Sequence, residues 1–213
     1  MLLRSNTVKN TSINQTKYHV GLNTVMTEHI QKIQNLISQF DQETINTLER
    51  ITVTEHFKKG DILLQQGEVC RKSHLIVNGV SRKFIYSDKK EITTEFFFKD
   101  DIAISFKSYI NQKPSKEFIE CLTDTTVETV DYKAFETAKK RFPLLMEYDV
   151  LLTELYIIWL EDRLFDFHAL SATERYQALL KKSPEYLHHL KLTHIASYLG
   201  ISLETLSRIR AKK

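Results

Sequence analysis

The chain has 213 residues, 42% of them hydrophobic and 27% charged, proportions that are typical of globular proteins and exclude a wholly disordered or fibrous chain. The formal net charge is only +3, but residues 171–213 hold eight Lys or Arg against three Glu. This basic carboxyl-terminal segment indicates an anionic partner, with nucleic acid as the first candidate, although a solvated basic face has the same composition.

Membrane segments and metal clusters are not expected. The longest unbroken apolar run, residues 155–160, has six residues, whereas a membrane helix needs about 20. Residues 1–6 turn polar too early for a signal peptide, and the two cysteines, Cys70 and Cys121, are too few for a ligand cluster. We therefore expect a cytoplasmic protein with no metal and no cofactor.

The amino-terminal part is predicted to be an extension followed by helices. Residues 1–25 are rich in Asn, Thr and Ser without a sustained apolar period, which predicts a loosely ordered polar extension. From Thr27 apolar residues recur at intervals of three and four, which predicts an amphipathic helix ending near Asp41. Residues 42–50 are expected to form a second short helix.

Residues 51–135 are predicted to form an all-β module. They contain short runs of β-branched and aromatic residues with turn signals about ten residues apart, a pattern typical of a sandwich or barrel. Asn78 and Gly79 stand between two such runs and favour a tight β-hairpin, because a type I′ turn needs positive φ twice. With the helices before it, this module makes a predicted domain of residues 26–142.

A long helix is predicted over residues 143–170, where the apolar period changes to that of a helix. The apolar positions alternate by four and three, which predicts a homodimer seam. Its members are Leu144, Tyr148, Leu151, Leu155, Ile158, Asp162 and Phe165. Asp162 is unfavourable in such a seam, and the alternative is a helix that packs only on its own barrel.

Residues 171–213 are predicted to form a small helical domain that contains a helix-turn-helix. A capping box from Ser171 to Glu174 opens its first helix. The helix-turn-helix spans residues 192–210.

Four residue types at set positions indicate this motif. Ala196 is small enough for the two helices to cross closely, Gly200 supplies a left-handed turn, and Leu206 fills the shared core. Ser202 stands where it would cap the second helix.

The outward side of the second helix is the predicted DNA-reading surface. The first two turns of a recognition helix reach base edges in the major groove, and the residues expected to contact bases are Leu203, Glu204, Ser207 and Arg208. Arg208 can bond the O6 and N7 atoms of guanine, and Glu204 can accept from a cytosine amino group. The alternative is an ion pair between these two on the helix surface. The predicted phosphate contacts are Thr193, Thr205, Arg210, Lys212 and Lys213.

The order of elements over about residues 27–213 resembles the Crp/Fnr family of bacterial transcription regulators. The similarity is most specific at residues 174–176, 195–201 and 204–209. It implies an α+β fold with an amino-terminal β-roll of the cyclic-nucleotide-binding type (a double-stranded β-helix), a long dimerisation helix and a carboxyl-terminal helix-turn-helix. It also implies a homodimer on a palindromic operator, base contacts by Glu204 and Arg208, and RNA polymerase as a candidate partner.

The resemblance also implies an effector pocket in the roll, but the residues that hold a cyclic nucleotide are replaced. The family's Gly-Glu pair and Arg-Ser pair fall on residues 101–106 and 113–117, which offer neither the carboxylate for the ribose nor an Arg for the phosphate. Lys116 is the nearby cation, and a point charge replaces a bidentate Arg poorly. We expect an unknown effector other than a cyclic nucleotide. The pocket residues are predicted to be Phe96, Ile104, Ser105, Phe106 and Lys116.

An enzyme is the less favoured class. A cupin-type metalloenzyme needs a His-x-His pair, which the sequence lacks, and no phosphate-binding loop or nucleophile elbow is present. The expected function is sequence-specific DNA binding in transcription regulation. The alternative is a sensor module that binds a small molecule or a protein and not DNA, and the salt dependence of binding separates the two.

Overall fold

The computed structural model describes residues 20–88, 90–182, 184 and 190–211. Lys212, Lys213 and most of the predicted polar extension lie outside this part of the chain. The chain divides into two compact units, Met1–Arg50 with Glu136–His168 and Ile51–Phe135 with Ala169–Lys213.

The helices and strands follow one another in an order that begins and ends with helices. The first predicted helix begins at Val20 rather than at Thr27. In chain order the elements are α1 Val20–Ile37, α2 Gln42–Ile51, β1 Thr52–Phe57, β2 Ile62–Leu64, β3 Lys72–Asn78, β4 Ser81–Ser87, β5 Lys90–Phe97, β6 Ile102–Ala103, α3 Phe106–Asn111, β7 Phe118–Cys121, β8 Thr125–Asp131, α4 Tyr132–Arg141, α5 Pro143–Ala169, α6 Ala172–Lys182, α7 Leu192–Leu199 and α8 Leu203–Ala211.

In the helical unit, α1 packs against one side of the amino-terminal half of α5. His29 Nε2 donates to the carbonyl oxygen of Leu151 at 2.9 Å. The Phe40 and Tyr148 rings meet edge to face at 6.0 Å, and burial raises the pKa of Tyr148 to about 12. These contacts bury one side of α5 inside its own chain.

The second unit contains an antiparallel roll of two four-stranded sheets, in the orders β1-β8-β3-β6 and β2-β7-β4-β5. Side chains alternate across each strand, so every second residue faces the interior. In β8 the buried residues are Thr125, Val127 and Thr129. The apolar core that both sheets share is formed by Leu64, Cys70, Ile76, Phe97, Ala103, Ile104, Ile119 and Val127.

The hairpin predicted at Asn78 and Gly79 is wrong. The strands on either side of this turn, β3 and β4, lie in different sheets, and the strand that pairs with β4 across a short turn is β5. Gly79 is nevertheless required, since its φ is +97° and a Cβ there would lie 2.6 Å from the carbonyl oxygen of Asp124. The dipeptide therefore marks a change of sheet and a close backbone approach.

Candidate nucleic-acid interface

Helices α7 and α8 form the predicted helix-turn-helix, which the structure confirms. Gly200 has φ 67° and ψ 36°, the left-handed conformation, and the next amide, of Ile201, donates back to the carbonyl oxygen of Ala196 at 3.0 Å. This ends α7 with the bond pattern typical of a glycine-terminated helix. Ser202 then caps α8, because its Oγ accepts from the Thr205 amide at 3.1 Å. Leu206 is fully buried between the helices.

All four predicted base-contacting residues lie on the exposed side of α8. They are Leu203, Glu204, Ser207 and Arg208. Glu204 and Arg208 form no ion pair with each other within the described structure, so the alternative interpretation of this pair as a surface salt bridge is not supported. The arrangement leaves an acceptor and a bidentate donor free to meet base edges.

The residues predicted to contact phosphates differ in how exposed they are. Thr193 and Arg210 are exposed, at the start of α7 and the end of α8. Thr205 is half-buried, and its hydroxyl lies 3.0 Å from the Ser202 hydroxyl, so it supports the helix cap. Lys212 and Lys213 lie outside the described residues.

The first helix of the motif, α7, lies along the edge of the roll. Strand β5 ends its sheet and so presents unpaired backbone groups. The Thr93 amide donates to Ser197 Oγ at 2.8 Å, and that hydroxyl donates to the Glu91 carbonyl oxygen at 3.2 Å. The Phe96 and Tyr198 rings stack obliquely at 4.9 Å. Ser197 thus forms hydrogen bonds with two backbone groups at the edge of β5, and the Phe96–Tyr198 ring pair packs beside them.

An apolar cluster joins the roll to the carboxyl-terminal helices behind this edge. It takes four residues from the roll, the inward residues of α6, α7 and α8, and Leu190, which precedes α7. Its buried members are Val80, Phe96, Phe98, Leu122, Tyr176, Leu179, Leu190, Ile195, Ala196, Leu199 and Leu206. The helix-turn-helix therefore shares a core with the roll.

A charged group lies beside the docked helix. The Arg82 guanidinium, almost fully buried, contacts the carboxylates of Glu91 at 2.5 Å and Glu120 at 2.7 Å. Partial burial raises the pKa of Glu91, but the hydrogen bond and charge of Arg82 outweigh it and hold that pKa below its ordinary value. His194 of α7 lies 4.0 Å from Glu91, and burial, aided by the charge of Arg82, lowers the pKa of His194 to about 4.

The structure does not bring the five predicted pocket residues together. Ile104 and Ser105 are buried in the roll and Phe106 packs partly buried beside them. Phe96 belongs instead to the cluster with α7, because it faces outward from β5. Lys116 is exposed rather than buried with Ile104 and Ser105, and its role as the pocket cation stays a prediction.

Lys83 is a buried cation beside Ile104 that was not predicted from the sequence. Its Nζ lies 2.6 Å from Glu95 Oε2 and 3.4 Å from the Ile104 carbonyl oxygen. A signal for it exists in the sequence, since the adjacent charges Arg82 and Lys83 fall in one strand. Neighbouring side chains of a strand point to opposite faces, so one of the two must point inward.

An exposed apolar stripe follows the length of α5. Its members are Met146, Val150, Ile157, Leu160, Leu164 and Phe167, each between 42% and 60% exposed. With the half-buried Thr153 they keep the spacing of four and three along the helix.

Every member of the stripe stands two residues beyond a member of the predicted seam, which places the stripe on the opposite side of the helix. The seam residues Tyr148, Leu151, Leu155 and Ile158 are half-buried, and Phe165 is exposed.

Comparison with known proteins gives matches over the roll and over the whole fold. The family model "Cyclic nucleotide-binding domain" matches residues 54–142. FixK2 from Bradyrhizobium japonicum is 18% identical, with a TM-score of 0.63 over 76% of this chain and 84% of that one. The chain has the fold of the Crp/Fnr regulators. A transcriptional regulator of the Crp/Fnr family from Eubacterium rectale is 19% identical, with a TM-score of 0.62 over 82% of this chain and 83% of that one.

A third structure with the Crp/Fnr fold is the c-di-GMP-responsive global regulator CLP from Xanthomonas campestris. It is 13% identical, with a TM-score of 0.60 over 81% of this chain and 91% of that one. No curated protein matches the sequence. The predicted β-roll, long helix and carboxyl-terminal helices of the Crp/Fnr fold are thereby confirmed. Among the described residues no helix is both long and apolar enough to span a bilayer.

Proposed function

We propose that this protein is a sequence-specific DNA-binding transcriptional regulator of the Crp/Fnr type. The observation that carries the proposal is the division of α8 into two sides. Leu206 is fully buried against α7, whereas Glu204, Ser207 and Arg208 are exposed on the other side. A helix fixed by its apolar side and free on its polar side has the form that enters a major groove.

We further propose that it acts as a homodimer joined along the apolar stripe of α5. A row of large apolar side chains in heptad spacing is the pattern by which two helices pack. The stripe has Leu164 at the place where the predicted seam had Asp162, so the stripe itself contains no carboxylate. Two recognition helices then read half-sites about one helical turn, roughly 34 Å, apart on a palindromic operator. Binding to RNA polymerase remains a prediction.

A cyclic nucleotide is not proposed as the effector. At the predicted pocket the Ser105 hydroxyl donates to Glu117 Oε2 at 2.5 Å, and the Ser115 hydroxyl lies 3.2 Å from that of Ser105. A carboxylate at this place repels a phosphate, and an exposed Lys such as Lys116 does not offset it. Calorimetry of the full chain with cyclic AMP and cyclic GMP tests this, and micromolar binding of either would contradict it.

The DNA-reading surface is tested with two Arg variants of one helix. Duplexes are first selected from a random pool by the full chain, and anisotropy titrations compare the selected duplex with a scrambled one. Arg208→Ala is expected to cost about 1–3 kcal/mol on the selected duplex and to relax the preference at one symmetric base pair. Arg210→Ala, the matched control, should weaken both duplexes alike, since phosphate contacts carry no sequence information.

Equal losses for the two variants on both duplexes would refute the assignment of Arg208. A steep fall of affinity with salt, about 0.9 log units per neutralised phosphate for each tenfold rise, is also expected of a DNA binder. Selection that yields no duplex at any ionic strength would favour the alternative, a sensor module without DNA-binding activity.

A further inference from the structure

The interior of the roll contains an ion pair at the predicted effector pocket. Lys83 of β4 and Glu95 of β5 face each other in the strand register, and Nζ lies 2.6 Å from Oε2. Their side chains are 6% and 8% exposed. The ammonium also lies 5.7 Å from the centre of the Phe97 ring. A charge removed from water this far needs a partner, because an unpaired buried ammonium strongly destabilises the folded state.

The polar groups around this ion pair are bonded to one another. Lys83 Nζ reaches the carbonyl oxygen of Ile104 at 3.4 Å, and the next residue, Ser105, donates to Glu117. The Ser115 hydroxyl donates to the Glu117 carbonyl oxygen at 3.1 Å. The chain's own groups therefore supply the hydrogen bonds and the countercharge that a bound anion would otherwise bring to this part of the roll.

The ion pair stands next to an irregularity in the strand pairing. Lys83 pairs with Glu95 and the next residue, Phe84, pairs with Thr93, so Thr94 is an extra residue in β5. Such a bulge changes the direction in which neighbouring groups point. The Thr94 hydroxyl donates to the Lys83 carbonyl oxygen at 3.2 Å, which fixes the bulge beside the ion pair.

The outer edge of the same strand holds the helix-turn-helix. The Thr93 amide donates to Ser197 Oγ, and Phe96 contacts Tyr198. Strand β5 thus carries Glu95 on its inner face and the docking groups for α7 on its outer edge, within four consecutive residues. With α7 docked in this way, the predicted base-contacting residues Glu204 and Arg208 remain exposed.

We propose that the Lys83–Glu95 ion pair takes the place of a diffusible effector and positions the helix-turn-helix for operator binding without any small molecule. The pair fixes β5 from inside the roll, and β5 fixes α7 from outside. Lys83 and Glu95 are therefore positioning residues. This inference rests on the proposed DNA-binding function.

The test uses the full chain, dialysed to remove small molecules, and two readouts. One is the affinity for a duplex selected from a random pool, and the other is the hydrogen-exchange rate of the Thr93 amide. Wild-type protein should bind the duplex as dialysed. Added cyclic AMP or cyclic GMP should change the affinity by less than about twofold, because a ligand shifts a conformational equilibrium only when it binds one conformation more tightly than the other. Lys83→Met should weaken binding by about 5- to 150-fold, the usual range for two coupled sites, and should speed exchange at Thr93.

Two further variants separate positioning from a loss of folding. Exchanging the charges, with Lys83→Glu and Glu95→Lys together, restores the pair and should recover most of the lost affinity and protection. Lys58→Met removes one partner of the pair with Asp124, whose side chains are 83% and 66% exposed, and should change neither readout. Circular dichroism reports the folded fraction of each variant.

The inference is overturned if dialysed wild-type protein binds the selected duplex only after a small molecule is added, or if folded Lys83→Met binds as wild type does. Failure of the proposed function gives a different result, since then no duplex is selected by any variant. In that case the exchange at Thr93 still decides whether the ion pair fixes the strand edge, because unchanged protection in folded Lys83→Met refutes the coupling.

Discussion

The apolar stripe of α5 predicts a specific loss of dimer affinity when Leu164 is shortened. Complete burial of a Leu side chain contributes about 1.5–3 kcal/mol, and Leu164 is 60% exposed in the single chain. Two copies of this side chain would therefore contribute about 2 to 3.5 kcal/mol to a dimer. Since about 1.4 kcal/mol is a factor of ten, Leu164→Ala should raise the dimer dissociation constant about 30- to 300-fold. The substitution keeps a strong helix former, so α5 itself is retained.

Sedimentation equilibrium of the full chain over a concentration series measures this constant. Ile110 is also 60% exposed but lies in α3 and not in α5, so Ile110→Ala is the matched control and should leave the constant unchanged. Phe165→Ala tests the seam predicted from sequence. A wild-type constant for Leu164→Ala together with a raised constant for Phe165→Ala would refute the assignment of the stripe.

Three further outcomes are expected. Leu206→Ala should lower the free energy of unfolding by about 2–5 kcal/mol, because Leu206 is fully buried, as urea titration can measure. Gly79→Ala should destabilise more than Gly60→Ala, since both have positive φ but only Gly79 has backbone within 3 Å of the added Cβ; equal losses would contradict the close approach. Burial lowers the pKa of His194 from 6.5 in the unfolded chain to about 4 in the folded chain. Stability should therefore fall as pH falls between these values, and His194→Gln should reduce that dependence in urea titrations at several pH values. Part of the dependence should remain in this variant, because burial also lowers the pKa of His74 to about 4.

The helix-turn-helix could be predicted from sequence because its determinants are local. Gly200 sets the turn through its own backbone, and Ser202 caps α8 through a bond to Thr205, three residues away. The small Ala196 and the apolar Leu206 lie where the helix period alone places them inward. None of these features depends on strand pairing or on distant parts of the chain.

The side of α5 that faces its own chain could not be predicted from periodicity. The helix is apolar on more than one side, so the spacing of four and three fits two stripes two residues apart. Tertiary contacts determine which side of α5 faces its own chain, since Tyr148 packs on Phe40 and the Leu151 carbonyl oxygen accepts from His29. A heptad pattern reports that a seam exists but not which of two seams is internal.

The interior of the roll was the part least accessible to sequence reasoning. A turn dipeptide such as Asn78 and Gly79 reports local backbone geometry but not the sheet to which the next strand belongs. The Lys83–Glu95 pair depends on strand register, with eleven residues between its members in the sequence, and that register includes a bulge. The residue pattern of a single strand encodes neither the pairing register nor the position of a bulge.

The Ser197 hydroxyl on the margin of β5 has a consequence for how this protein tolerates truncation. A sheet margin with free amides and carbonyls is a template onto which a strand of another molecule can add. A shortened chain that stops before α7 would uncover Thr93 and Glu91 and should self-associate through that margin. The helix-turn-helix thus also covers the open edge of the roll, and removing it should lower the solubility of the remaining chain.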